Sequence, residues 1–338
     1  MIHLMICPNH LAYGGTQLSV RHWLPYLDRD KYRVTILAMG RGGLSESFES
    51  LWPVVYDDNN YPNIERHIAE LKPDLIHFCV AGGPDLEYVS RAAKLAPVTE
   101  TVMCPRPASN AAEVSGVTVI SEYVKILQPP GQQVAITELP YDPNAYPTEA
   151  SFDRAHFGIP EETLLVGSFG NHRAENAHFM KLVRDFDRPG VHFAIRSDMR
   201  YPYWRGRNRI TVLRQRFSEA EKIAFFRLLD VFLYPTSNEA YGLVFLEAMA
   251  QKTPVVSYAD SCIPGTVGPG GLLAARHDRR HLRAQLDRLL DDADLRQRIG
   301  AAGAQLVAER NDPQHIADQF DAFFSHALAN AKRGRYSR

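Results

Sequence analysis

Features that mark specialised classes of protein are scarce in this sequence of 338 residues. It has only four cysteines, Cys7, Cys79, Cys104 and Cys262. No pair of them has the spacing of a metal site or of a redox motif, which argues against both. Three of the four lie in or beside apolar, strand-like runs. We therefore expect buried, reduced thiols, as in a cytoplasmic protein.

No charge of one sign predominates either. The chain carries 38 Lys and Arg against 39 Asp and Glu, and a net charge of −1 gives no indication of a nucleic-acid partner. No apolar run reaches the roughly 18 residues of a transmembrane helix. Residues 1–6 are typical of a first strand, because they lack the basic segment and the cleavage site of a signal peptide. The basic residues 332–338 are expected to be solvated, with peripheral contact to the inner face of a membrane as the alternative.

The chain does contain a regular alternation of short apolar runs and stretches with helical period. The apolar runs lie at residues 2–7, 33–39, 75–80, 98–103 and 116–120, and again at 164–169, 191–195, 210–213, 231–235 and 255–258. This alternation predicts an α/β protein with parallel sheets and helices on both faces. Three prolines within residues 139–147 interrupt it. We therefore predict one Rossmann-like domain over residues 1–146 and a second over residues 147–315.

Residues 234–250 form the most informative segment, because they join a strand to a helix and carry two acids. Seven residues separate Glu239 from Glu247. Gly242 opens the helix, whose unpaired N–H groups form an anion site that a residue without Cβ leaves accessible. Glu247 lies roughly 7.5 Å further along, about the distance from a diphosphate to the ribose of a nucleotide. As an acid among apolar neighbours Glu247 needs a partner, which a ribose diol would supply, and Glu239 could hold a sugar hydroxyl.

In its wider context the segment closely resembles the retaining GT-B glycosyltransferases of family four. The resemblance rests on Pro-Thr-Ser-x-Glu-x-x-Gly-Leu-x-x-x-Glu-Ala-Met-Ala at residues 235–250. It continues through Thr-Pro-Val-Val at 253–256, Ile-Pro at 263–264 and Gly-Gly-Leu-Leu at 270–273. The resemblance implies the GT-B fold, in which two Rossmann-like domains face each other across a cleft. It also implies that a C-terminal helix, at about residues 316–338, packs back on the first domain.

The resemblance implies roles for individual residues. Glu239 would orient the donor sugar, and Arg173 would stabilise the departing diphosphate. Donor contacts would come from Gly14, Gly15, Asn176, Phe217, Tyr241, Gly242, Leu243 and Glu247, with the turn at residues 213–217 lining the nucleobase. Asn176 stands where the family usually has a lysine, and Cys104 lies where many members have an acceptor-side histidine.

The function implied is that of a hexosyltransferase-type enzyme. It would transfer a sugar, with retention at the anomeric carbon, from a nucleotide diphosphate sugar such as a UDP- or GDP-sugar to a hydroxyl acceptor. The nucleotide sugar would be a co-substrate, and no cofactor or metal is expected, because no Asp-x-Asp motif follows a strand. The acceptor is open between a small molecule, a lipid-linked sugar and a glycan. The alternatives are a degenerate GT-B protein that binds nucleotide or glycan without turnover, favoured by Asn176 and Cys104, and a GT-B sugar-nucleotide epimerase.

Overall fold

The computed structural model describes residues 1–81, 87–108, 113–145, 152–170, 173–198 and 209–336, without the side chains of residues 173–176 and 333–336. The chain forms two compact units, Met1–Asp142 with Asn311–Arg338, and Pro143–Arg310. Both breaks lie a few residues before the boundaries predicted at residues 146 and 315. The reason is a pair of hydrogen bonds: the Asn311 side chain donates to the carbonyl of Leu139 (2.7 Å) and Tyr141 N–H donates to the carbonyl of Asn311 (2.8 Å).

The first unit contains a seven-stranded parallel sheet. In chain order its strands are β1 (Ile2–Cys7), β2 (Tyr32–Ala38), β3 (Val54–Tyr56), β4 (Leu75–Val80), β5 (Val98–Val102), β6 (Gly116–Val119) and β7 (Ala135–Ile136). Their spatial order is β3-β2-β1-β4-β5-β6-β7. The helices between them are α1 (Gly15–Trp23), α2 (Ser45–Glu49), α3 (Ile64–Leu71), α4 (Glu87–Ala93) and α5 (Glu122–Ile126). All six residues of β4 are buried, as expected for a central strand covered on both faces.

The second unit contains a six-stranded parallel sheet. Its strands are β8 (Leu164–Phe169), β9 (Val191–Arg196), β10 (Ile210–Leu213), β11 (Val231–Leu233), β12 (Val255–Tyr258) and β13 (Gly271–Ala274). Their spatial order is β10-β9-β8-β11-β12-β13. The helices are α6 (Arg173–Arg184), α7 (Glu219–Leu228), α8 (Leu243–Ala250), α9 (Ile263–Val267), α10 (Arg279–Asp291) and α11 (Ala293–Arg310). Each unit is therefore an open α/β sheet of the Rossmann type.

The last helix, α12 (Pro313–Tyr336), packs on the first unit. The Phe320 ring stacks on Trp23 of α1 with 4.0 Å between ring centroids. His77 of β4 lies beneath the same face, 5.1 Å from the Phe324 ring. Burial lowers the pKa of His77 to about 3, so this histidine is a neutral part of the core.

Several of the shortest elements are absent from the sequence-based prediction. The pattern does not predict β3, β7, β13, α2 or α9, each of which has two to five residues. Such short elements contain too few residues to establish a period of either two or 3.6 residues. Within the described ranges, no helix is both long enough and apolar enough to cross a membrane.

Candidate functional site

The two predicted acids belong to the carboxyl edge of the second sheet, at the point where its strand order reverses. β8 and β11 are neighbours, and the strands that follow them in sequence, β9 and β12, lie on opposite sides. Ligands of open α/β sheets bind at such a point, because the diverging loops leave a crevice outside the strand ends. Glu239 lies in the loop after β11, and Glu247 lies in α8.

The start of α8 depends on Gly242. This N-cap residue has φ 82° and ψ 68°, the left-handed conformation that favours glycine. A Cβ at this position would come within 2.6 Å of the Phe245 ring. Gly242 has no side chain with which to cap the helix, and Leu243 at its first position is only half-buried. The first N–H groups of α8 can therefore meet an anion.

The loop that carries Glu239 is held to the loop that follows β12. Asn238 N–H donates to Asp260 Oδ1 at 2.9 Å, and Glu239 N–H donates to Ser261 Oγ at 2.9 Å. The Thr236 hydroxyl donates to Glu239 Oε1 at 3.1 Å. The half-buried Glu239 thus has a fixed backbone and one fixed carboxylate oxygen. A group that orients a substrate hydroxyl needs this kind of support.

The same loops contain strained backbone. Asn238 has φ 62° and Ser261 has φ 50°, both in the left-handed region that non-glycine residues rarely adopt. Each costs on the order of 1 kcal/mol. Arg276 Nε pairs with Asp260 Oδ2 at 2.6 Å. This ion pair holds in place the Asp260 carboxylate, which accepts the hydrogen bond from Asn238 N–H. Strain of this kind clusters at functional sites, where the surrounding contacts can maintain it.

Glu247 is buried, and its partner is Lys222 of α7. Lys222 Nζ donates to Glu247 Oε1, and the two side chains are 13% and 5% exposed. The buried Glu247 thus has a partner within the protein, whereas the sequence suggests only a ribose diol, and its contact with a ribose stays a prediction. Burial lowers the pKa of Lys222, but the carboxylates of Glu247 and Glu219 outweigh it, so that the pKa is raised. Burial raises the pKa of the Glu247 carboxyl against the opposing effect of the Lys222 ammonium.

An aromatic cluster with two cations adjoins this pair. Phe169, the last residue of β8, has Lys222 Nζ and the Arg196 guanidinium each 5.7 Å from its ring centroid. The Phe217 ring lies 5.8 Å from Phe169 and 5.6 Å from Phe225. Phe217, which the resemblance places beside the nucleobase, is thus half-buried in this cluster. Contact with a base would use the part of its ring that stays exposed.

Arg196 links β9 to the turn that follows β10. It is 6% exposed, and its Nε donates to the carbonyl of Gln215 at 3.4 Å. Its guanidinium also pairs with Asp198 at 3.0 Å. The turn at residues 213–217 is the one that the resemblance assigns to the nucleobase, so Arg196 fixes the backbone of that turn.

The remaining predicted residues of the α8 segment contribute backbone rather than side chains. Tyr241 is 2% exposed, and its carbonyl accepts a hydrogen bond from the Thr266 hydroxyl at 2.9 Å. Its ring is therefore enclosed, and only its main chain can approach a ligand. Leu243 follows the N-cap and offers the first N–H group of α8.

Four predicted residues lie apart from this segment. Gly14 is the N-cap of α1 with an extended backbone, and Gly15 is the first residue of that helix, both in the first unit. Arg173 and Asn176 belong to the first turn of α6. Their side chains lie outside the described residues, and so their predicted contacts with a diphosphate stay predictions.

The sequence pattern misses two residues of the site, Lys222 and Arg196. The sequence does contain an indication of Arg196, because it is a charged residue that ends an apolar strand at the carboxyl edge. The sequence gives no indication of Lys222, because a lysine in the first turns of an acidic helix is ordinarily solvated. In the described part of the chain, no group of three or more His, Cys, Asp and Glu side chains could hold a metal ion.

This part of the chain is similar to known proteins. Residues 206–306 match the family model described as glycosyl transferases group 1. A D-inositol 3-phosphate glycosyltransferase of Stackebrandtia nassauensis is 39% identical over 121 residues, which cover 35% of this chain and 27% of the relative. The capsular polysaccharide biosynthesis glycosyltransferase CapM of Staphylococcus aureus is 26% identical over 115 residues, 33% of this chain and 30% of the relative. The matches thus span less than a third of the length of these relatives.

Solved structures resemble the chain over nearly all of its length. A glycosyltransferase from Rickettsia africae has a TM-score of 0.79 at 14% identity, and the match covers 97% of this chain and 98% of that one. Anabaena HepE, in complex with UDP and glucose, also has a TM-score of 0.79, at 16% identity, with 96% and 100% covered. At such identities the likeness shows the fold. Residues 206–306 therefore match the glycosyl transferases group 1 family, and the chain that contains them has the GT-B fold.

Proposed function

We propose that this protein is a retaining glycosyltransferase that moves a hexosyl group from a nucleotide diphosphate sugar to a hydroxyl acceptor. The observation that carries the proposal is the joint placement of Gly242, Glu239 and Glu247 at the switch point of the second sheet, inside the region that matches the family. The structures of HepE with UDP and with UDP-glucose support a UDP-sugar as the first donor to test, with a GDP-sugar as the second.

In the proposed reaction, the bond between the anomeric carbon and the diphosphate oxygen breaks, and a bond from that carbon to the acceptor oxygen forms on the same face. Arg173 and the N–H groups at the start of α8 stabilise the charge that grows on the diphosphate. The departing phosphate oxygen takes the proton of the acceptor hydroxyl. Glu239 accepts hydrogen bonds from the donor sugar, and Glu247 accepts from the ribose.

A panel of UDP- and GDP-sugars tests this function directly. We expect the protein to bind one nucleoside diphosphate in calorimetry and to release it slowly from the matching sugar donor, because water replaces the absent acceptor. If the protein binds no nucleoside diphosphate and releases none from any donor, the proposal is contradicted. Binding without release would favour the second candidate, a GT-B protein without turnover, which the uncharged Asn176 supports.

Metal removal should leave donor turnover unchanged. In the proposal, Arg173 and the N-terminus of α8 supply the positive charge that a divalent ion supplies in metal-dependent transferases. We therefore expect the rate of nucleotide release in excess EDTA to stay within about twofold of the untreated rate. A larger loss that Mg²⁺ or Mn²⁺ restores would overturn the metal-independent mechanism.

Gly242→Ala should weaken nucleotide binding. The new Cβ would force either a strained left-handed alanine or a shift of Phe245, and both displace the first N–H groups of α8. We expect a Kd for the nucleoside diphosphate about tenfold higher and a stability loss on the order of 1–2 kcal/mol. Gly265→Ala in α9 is the matched control, because its Cβ would meet open space. Equal affinities of the two variants would show that the N-terminus of α8 does not hold the phosphates.

A further inference from the structure

The ion pair of Lys222 and Glu247 has a property that the proposed mechanism does not use. It is buried between α7 and α8, yet it lies at the carboxyl edge, because Lys222 also sits 5.7 Å from the ring of Phe169 at the end of β8. Removing two charges from water is costly, and their mutual attraction repays the cost only with good geometry and further hydrogen bonds. Such a pair therefore calls for an explanation beyond stability.

The hydrogen-bonding capacity of the pair is only partly used. An ammonium has three donors and a carboxylate about four acceptor positions. Among the described residues, the structure gives Lys222 Nζ a single hydrogen bond, to Glu247 Oε1, and gives the Glu247 carboxylate no other donor. Nearby, Glu219 Oε2 is buried with no hydrogen-bond partner in the described part of the chain. The cluster therefore has unused acceptors and donors where the proposed function places a nucleotide.

We infer that Lys222 is a positioning residue for nucleotide binding, which keeps Glu247 ionised and directs its carboxylate at the two hydroxyls of the ribose. This inference rests on the proposed function. A carboxylate enclosed in this way without a cation would take up a proton, and a neutral acid accepts fewer hydrogen bonds. Because Lys222 holds Oε1, the orientation of the second oxygen is also defined. Lys222 thus acts on the nucleotide through Glu247.

Lys222→Met tests the inference, because methionine fills a similar volume without the charge. We expect the Kd for UDP or GDP, whichever the protein binds, to rise about tenfold near neutral pH. This loss of nucleotide affinity relative to the wild type should become smaller as the pH is raised, because the unpaired Glu247 then ionises. The KM for the sugar donor should rise more than kcat falls. The variant should also discriminate less against the 2′-deoxy nucleotide. A protonated Glu247 accepts fewer hydrogen bonds, so that the absence of a ribose hydroxyl leaves fewer of its acceptors without a partner.

Three further variants separate positioning from a purely structural role. Lys222→Arg should restore most of the affinity, because a guanidinium keeps the cation beside Glu247. The double variant Lys222→Met/Glu247→Gln should regain thermal stability, because it has no buried acid whose ionisation is penalised, but its nucleotide binding should stay weak at every pH. Arg227→Met, an exposed position on the same helix, is the control for the loss of one positive charge.

The outcomes are decisive in each direction. Wild-type affinity of Lys222→Met at all pH values, a deficit that is the same at every pH, or wild-type affinity of the double variant would overturn the role of Lys222. In those cases the wild type still binds nucleotide, and the proposed function survives. If the wild type itself binds neither UDP nor GDP and releases neither from its sugars, the proposed function fails, and the inference fails with it.

Discussion

Replacing Glu239 by glutamine is expected to lower the turnover of sugar transfer by at least a hundredfold while the fold persists. Glutamine keeps the shape of the side chain, and its oxygen can still accept the hydrogen bond from Thr236 that Glu239 Oε1 accepts at 3.1 Å. What it removes is the negative charge, which strengthens hydrogen bonds to the sugar hydroxyls. A hundredfold corresponds to about 2.7 kcal/mol of transition-state stabilisation, and misplacement of a substrate by about 1 Å is enough to cost that much.

The measurement is single-turnover release of nucleotide from the donor that the panel identifies. Glu239→Ala should lose as much activity or more, because it also removes the contact with Thr236. Glu162→Gln, an exposed acid in the same unit, should behave like the wild type. Near-normal transfer by Glu239→Gln, with an unchanged melting temperature, would remove Glu239 from the proposed reaction and leave the sugar without a positioning acid.

The sequence predicts those parts of the site that depend on local geometry. Gly242, the start of α8 and the loop acid Glu239 lie within a few residues of one another, so that their spacing along the chain also determines their spacing in the structure. Strands β1, β4, β8 and β10 are predicted with the bounds that the structure gives them, because each is a short and mostly apolar run.

The parts that the sequence could not predict depend on contacts between distant elements. Lys222 and Glu247 are 25 residues apart, and nothing in either helix indicates that their side chains meet. The hydrogen bonds from Asn238 and Glu239 to the loop after β12 likewise require that β11 and β12 are neighbours. Glu100 is a further example, because it lies between two threonines in β5 and a single acid there does not reveal which face it occupies.

Glu100 shows how much such tertiary placement can matter for stability. It is fully buried in the first sheet, beside Phe78 of β4 and Val117 of β6 in the strand register. Neither of its carboxylate oxygens has a hydrogen-bond partner in the described ranges. Burial raises the pKa of Glu100 to about 7, and Arg106 opposes the shift. The nearby Arg106 guanidinium itself has two buried nitrogens, Nε and Nη2, without a hydrogen bond among the described residues.

The sign of the resulting pH dependence follows from linkage. The native state holds a proton on Glu100 up to about pH 7, whereas the unfolded chain releases it near the ordinary value of about 4.3. Native Glu100 therefore binds more protons than unfolded Glu100 between these values, and the stability of the fold decreases as the pH rises through this range. This loss of stability is complete above the pKa of Glu100 in the folded state and absent below the pKa of Glu100 in the unfolded chain.

Glu100→Gln should therefore stabilise the first unit at alkaline pH and have little effect at acidic pH. Glutamine has a similar shape and carries no charge to desolvate. We therefore expect the free energy of unfolding to increase by roughly 3 kcal/mol at about pH 8 and by less than about 1 kcal/mol at about pH 5. Urea unfolding followed by the fluorescence of the buried Trp23 and Trp52 measures both. Glu70→Gln, at an exposed position of α3, controls for the loss of one negative charge. A gain that is equal at the two pH values, or a loss at pH 8, would show that Glu100 is stabilised as a carboxylate by Arg106 and that burial does not dominate its ionisation.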